Sequence, residues 1–308
     1  MAFLMALVCA AVLTPQPPAV TGGQADPMAL VNEARRLIAD GRIEEGIEGY
    51  RRALQAQPDL FEAHLGIGIA LDIGLRFADA RTHLSKALEL APEDAKVQAL
   101  NALAVSYAFE GNAREAASFY QQVFDRHMAD SNFGSAAGTA NALGRVYLET
   151  GDVENARRWY ETGYETARRQ PDSAGAQLSL WEFRWLHAQG RIAARQGRVD
   201  EARAHVAAAQ ALISKDPALK DEWPTWHYLD GYVKLHAKDY AAAIDTLQKA
   251  DDDDPFVLAM LARAYEAAGN HARSRETWRR VLTFSGHSLQ VAFSRPEASR
   301  KLKTENKN

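Results

Sequence analysis

Three stretches of the chain are variants of one text: ADGRIEEGIEGY at 39–50, FEGNAREAASFY at 109–120 and ETGDVENARRWY at 149–160. Each has a glycine in third place (Gly41, Gly111, Gly151), a small residue five later (Gly46, Ala116, Ala156) and a tyrosine four after that (Tyr50, Tyr120, Tyr160). A glycine ahead of residues spaced in threes and fours reads as a turn that opens a helix. Recurrence of the whole text points to a repeat architecture, in which each unit buries its apolar faces against its neighbours. Apolar residues within 43–56 and 77–91 keep the same helical spacing. Helix starts are marked by Asp26-Pro27, Asp216-Pro217 and Asp254-Pro255, each a capping carboxylate before a proline suited to the first helical position.

The pattern resembles the tetratricopeptide repeat family, whose unit is two antiparallel helices in about 34 residues. Seven units fit its frame, with first positions at 27, 61, 97, 137, 183, 224 and 255. Position 8 is Ala34, Gly68, Ala104, Gly144, Gly190, Gly231 and Ala262, and position 20 is Gly46, Ala80, Ala116, Ala156, Ala202, Ala243 and Ser274. Two helices approach closely only where side chains are this small. Position 24 is Tyr50, Leu84, Tyr120, Tyr160, Val206, Leu247 and Trp278, bulky enough to fill the gap towards the next unit. The fold expected is an all-α, right-handed α-solenoid of antiparallel helix pairs over 26–287, with a C-terminal capping helix and basic tail over 288–308. Spacing is uneven, because extra residues accumulate at 127–136, 169–182 and 214–223. Either the helices or the connections lengthen there.

Composition places few further limits. The 308 residues are 47% apolar and 25% charged, ordinary for a globular protein. Net charge is −4 from 36 basic and 40 acidic residues, too balanced for a nucleic-acid binder. Residues 1–25 carry no charge. Their apolar run FLMALVCAAVL, at 3–13, is too short for a membrane span and the right length for a secretory signal. Gly23 and Ala25 suit a signal peptidase, so cleavage is expected after Ala25 and the mature protein in the periplasm or outside the cell. The absence of a basic residue before the run leaves a cytoplasmic location open. Val8 and the short run argue against a lipid anchor on Cys9, the single cysteine.

Catalytic signatures are missing. Glycines in GSAAGTA at 134–140 have no phosphate-binding lysine, and neither a Gly-x-Ser-x-Gly elbow nor a His-Glu-x-x-His motif occurs. The nine histidines stand singly, so no metal site is expected. Asp251 to Asp254 lack the turn glycine of a calcium loop and sit where carboxylates favour the start of a helix. The expectation is a non-enzyme with no cofactor.

In the resembled family the first helix of each unit lines a concave surface, with positions 2, 5, 9 and 12 pointing into it. Those positions hold Asn101, Asn141, Arg145, Arg184, His187, Arg191, Tyr228, Tyr232 and Arg263. Arginine forks take carboxylates, amides take peptide backbone, and tyrosines give rigid contact area. The resemblance therefore implies a protein-interaction scaffold whose groove receives an extended acidic or polar peptide, with Arg145, Arg191 and Tyr228 contributing most. Val31, Arg35, Gly66, Gln98 and Ala102 do not match the family's chaperone carboxylate clamp. Trp181, Trp185, Trp223 and Trp226 are either core packing or an aromatic glycan subsite.

Overall fold

The computed structural model describes residues 26–170 and 175–305, so the expected signal peptide lies outside the described residues. It is all helical there. Fourteen helices form consecutive antiparallel pairs: α1 (Pro27–Ala39) with α2 (Ile43–Ala56), α3 (Phe61–Ile73) with α4 (Phe77–Leu90), and α5 (Lys96–Phe109) with α6 (Ala113–Ala129). Next come α7 (Phe133–Thr150) with α8 (Val153–Ala167), α9 (Gly175–Arg195) with α10 (Val199–Lys215), and α11 (Trp223–His236) with α12 (Tyr240–Leu247). The last pair is α13 (Pro255–Ala267) with α14 (His271–Val281), and α15 (Leu289–Glu305) follows it. The odd-numbered helices through α13 are the first members of the units and line the inner side of a right-handed solenoid.

Local chemistry sets the helix ends. Asp26, Asn112, Asn132, Asp152, Asp239, Asp254 and Asn270 each accept a hydrogen bond from a backbone N–H in the first turn that follows, at 2.7–3.3 Å from Asp254 to Asp239. Gly41, Gly111, Gly151, Gly197 and Gly269 turn five of the pairs with positive φ. Leu75 and Lys238 take the same backbone conformation in the other two, at φ 61° and 63°.

Close approach within pairs follows the small-residue positions. A Cβ on Gly144 would sit 2.8 Å from Cγ of Tyr160, and one on Gly231 would sit 2.5 Å from Cγ of Leu247. Between units, Tyr50 packs on Gly66 of the next first helix. The extra residues go mainly into helices. α7 starts at Phe133 and α9 at Gly175, ahead of the frame positions 137 and 183, and α6 and α10 each run 17 residues. Residues 217–222 form a 3₁₀ turn.

The C-terminal segment does more than cover the last pair. α15 packs on α13 and α14, then reaches across the inner side to α5 and α7. Leu289, Val291 and Ala292 join one apolar cluster with Ala104, Val105, Ala108 and Phe109. His287 Nε2 lies 2.9 Å from Oδ2 of Asp72, which is fully buried and also accepts from Ser106 Oγ at 3.0 Å. Arg295 donates to the carbonyls of Ile73 (2.8 Å), Leu282 (2.6 Å) and Phe284 (3.0 Å). The Lys301 ammonium donates to both oxygens of Glu266, at 2.6 and 2.8 Å. Arg295 and Lys301, expected as part of a basic tail, are thus structural contacts, and the C-terminal segment is fastened to the second and third pairs of the solenoid.

Candidate functional site

The inner stripe of α7, α9, α11 and α13 brings most of the sequence-selected residues into one polar cluster. Successive helical turns place Arg145 and Glu149 on the same face of α7, and Arg191 and Arg195 on the same face of α9. Arg195 donates through Nη2 to Glu149 Oε2 at 2.7 Å and through Nε to the Tyr232 hydroxyl at 2.5 Å. Arg145 Nη1 is 3.6 Å from Glu149 Oε1, and its guanidinium lies 4.1 Å from the ring centre of Phe256 on α13. Arg191 donates to the Tyr160 hydroxyl at 3.0 Å. Arg263 forms a two-pronged ion pair with Glu297 of α15, with Nε at 3.1 Å from Oε1.

Burial gives these contacts their weight. Burial alone pushes the Glu149 carboxyl up, but Arg145, Arg195, Arg191 and Arg263 outweigh it and hold the group below its usual range. Burial, with Arg191 and Arg145 nearby, drives the His187 imidazole well below its usual value, so it is neutral. Burial raises the Tyr228 phenol, which keeps its proton. His187 and Tyr228 face each other with ring centres 5.6 Å apart, and Tyr228 meets Tyr232 edge-on at 6.0 Å.

The inner surface is therefore less open than a groove lined by solvated side chains. His187, Arg191, Tyr228 and Tyr232 are buried, and Arg145, Asn141 and Arg263 are half-buried. Asn141 lies against α8, where its Oδ1 would be 2.6 Å from a Cβ on Gly163. Arg184 stands apart, exposed, with its guanidinium 4.8 Å from the Trp181 ring centre. Asn101 belongs to a separate shallow depression of about 500 Å³, lined also by Leu65, Ile69, Val97 and Val105. Glu149, Arg195 and Glu297 were missed in the sequence. The first two are readable in hindsight, one helical turn beyond Arg145 and Arg191.

Beside this cluster a cavity of about 770 Å³ opens among the C-terminal ends of α5, α7, α9, α11 and α13, with α15 as its lid. Phe109 and Phe293 give it an apolar wall. Arg195 and Arg263 with their carboxylates form the floor, and the exposed Lys238 and Arg300 stand at the rim.

The four tryptophans do not make one surface. Trp181 is buried with Ala137 and Ala167, and Trp185 stacks on Tyr164 at 6.2 Å. Trp223 and Trp226 pack edge to face at 5.6 Å in a third group, where Trp226 Nε1 donates to the Val206 carbonyl at 3.0 Å. Among the described residues no group of three or more His, Cys, Asp or Glu side chains could hold a metal ion, and no helix is long and apolar enough to cross a membrane.

Stacked helix pairs with small residues at their crossings and a side-chain-rich inner face define a helical-repeat scaffold. The chain belongs to the tetratricopeptide repeat family: one model of that repeat matches residues 31–95, 101–174 and 187–257, and a second matches 255–280. No curated protein matches it in sequence. Among solved structures it is similar to a tetratricopeptide repeat protein from Parabacteroides merdae, at 11% identity and a TM-score of 0.53, covering 88% of this chain and 98% of that one. It is similar to the apo form of RapI at 14% identity and a TM-score of 0.53, covering 90% and 99%. Nearly identical tetratricopeptide-like repeats from Podosopora anserina align at 17% identity and a TM-score of 0.51, over 62% of this chain and 98% of theirs. At these identities the likeness is one of fold.

Proposed function

We propose that the protein is a non-catalytic scaffold that holds an extended acidic or polar segment of a partner protein on its inner side, and that it works in the cell envelope after export. The observation that carries this reading is the cavity under α15, where an aromatic wall faces a floor of paired arginines and carboxylates and a rim that carries Lys238 and Arg300 beside Glu110. Apolar side chains of a segment would pack on Phe109 and Phe293 while its carboxylates meet Lys238 and Arg300. Arg145, Arg191 and Tyr228 do not line this cavity, and Arg191 and Tyr228 are buried, so substituting them would test folding before binding.

The test uses the rim. Partners are captured by crosslinking from cells that carry the wild-type protein, and affinity is then measured for the Lys238→Glu, Arg300→Glu double variant. At least about tenfold weaker binding is expected, equivalent to about 1.4 kcal/mol. Unchanged affinity overturns the assignment. Export is supported by the uncharged apolar start and by Gly23 and Ala25. Fractionation with N-terminal sequencing should give an envelope protein beginning at Asp26. An intact Met1 in the cytoplasmic fraction would make it a cytosolic adaptor.

A further inference from the structure

We propose that Arg145, His187, Arg191 and Tyr228 form an internal binding site for a small oxyanion, of the carboxylate or phosphate class. Five buried side-chain atoms of this cluster lack a hydrogen-bond partner: Arg145 Nη1, whose nearest carboxylate oxygen is at 3.6 Å, His187 Nε2, Arg191 Nε and Nη1, and the Tyr228 hydroxyl. Buried polar atoms are nearly always partnered, and each one left open costs stability, charged groups most of all. Arg191 is 2% exposed, Tyr228 5% and His187 7%, so bulk solvent does not meet the need.

The missing partner is an acceptor that carries negative charge. A guanidinium donates only, and Tyr228, which keeps its proton, can donate as well. The neutral imidazole can present Nε2–H when its proton sits on that nitrogen. Four guanidinium groups (Arg145, Arg191, Arg195, Arg263) face three nearby carboxylates, Glu149, Glu297 and Asp254; Arg263 takes Glu297, and Glu149 is shared between Arg195 at 2.7 Å and Arg145 at 3.6 Å. Asp254, the other acidic group acting on Arg145, accepts from the Phe256 N–H at 2.7 Å as the cap of α13. A water molecule could accept hydrogen bonds but would leave the surplus charge buried. An oxyanion supplies both acceptors and charge, and the fork of Arg191 matches its geometry. Arg145, the least buried of the four, marks the entry side. The site uses none of the rim residues assigned to partner binding, so the two readings stand or fall separately.

The test is anion-dependent stability of the full chain. Protein exchanged into low-salt HEPES is titrated with potassium phosphate, with sodium acetate, and with sodium chloride at matched ionic strength, and Tm is followed by scanning fluorimetry. A saturable rise of about 3 °C or more with phosphate or acetate, but not chloride, is expected. Phosphate acting alone assigns a free inorganic anion, and acetate acting alone assigns a carboxylate. Tyr228→Phe removes only the hydroxyl and should weaken the response at least about tenfold in concentration, and Arg191→Met should abolish it. If Arg191→Met does not fold, Tyr228→Phe decides, together with crystals soaked in selenate, where an anomalous peak among the four side chains is expected. A linear response equal for all three salts or a Tyr228→Phe response like the wild type would overturn the site, as would, where phosphate acts, a selenate-soaked crystal with only water among these side chains.

Discussion

Ala156 is fully buried on α8, among Leu148 of α7 and Ala188 and Ile192 of α9. Ala156→Leu should therefore overpack this contact and cost about 1–3 kcal/mol, read as a lower urea midpoint at unchanged m value. Lys238 holds φ 63° at a turn where five sister units use glycine. Lys238→Gly should stabilise by about 0.5–1 kcal/mol, because relief of left-handed strain exceeds the added chain entropy. His187 adds a pH dependence. Its folded value is depressed, so its contribution is present above about 6.5 and is lost as pH falls towards that depressed value. Urea midpoints should drop between about pH 7.5 and about pH 5.5, and His187→Gln should drop less. Small residues were legible because their spacing alone implies close approach. The partners of Arg191 and Tyr228 were not, because a residue's place on a helix face does not tell whether the opposite face is water or another side chain.

At the scale of elements, capping chemistry gave reliable starts. Asp26, Asp254 and the glycine turns stand where the sequence puts them, whereas Asp216 caps the 3₁₀ turn 217–222 and α11 begins only at Trp223. The early starts of α7 and α9 escaped because the repeat frame was anchored on the small residue at position 8, which says nothing of how far a helix extends upstream. For α7 the Asn132 cap was present in the sequence and went unread. α15 offers the sharpest element-level prediction. Its Arg295 satisfies Ile73 at the end of α3 and Leu282 and Phe284 after α14, which suits a cation near helix C-termini. Arg295→Ala should cost about 1.5–3 kcal/mol, and hydrogen exchange should rise at the ends of both α3 and α14 rather than at α15 alone.

The whole molecule combines a balanced net charge of −4 with a cluster of arginines on its inner side, a contrast hidden from any total over the chain. The solenoid was legible from its repeats, yet the return of the C-terminal segment onto α3 and α5 was not. Asp72 and His287 are 215 positions apart, and nothing local in either stretch announces the other. Cutting the chain after Thr283 should remove that fastening. The truncated protein is expected to show a larger radius of gyration by X-ray scattering and a broader thermal transition than the full chain. Open repeat arrays lose cooperativity because each unit answers only to its neighbours.

The Asp72–His287 contact also sets an order of events during synthesis. Asp72 leaves the ribosome 215 residues ahead of its partner, an interval on the order of 10–40 s at about 5–20 residues per second. Through that interval α3 and α5 can stack with their neighbours, but Asp72 lacks His287 and the α5 cluster lacks Leu289, Val291 and Ala292. The covering of this carboxylate and of the α5 face therefore comes late, with residues 287–292.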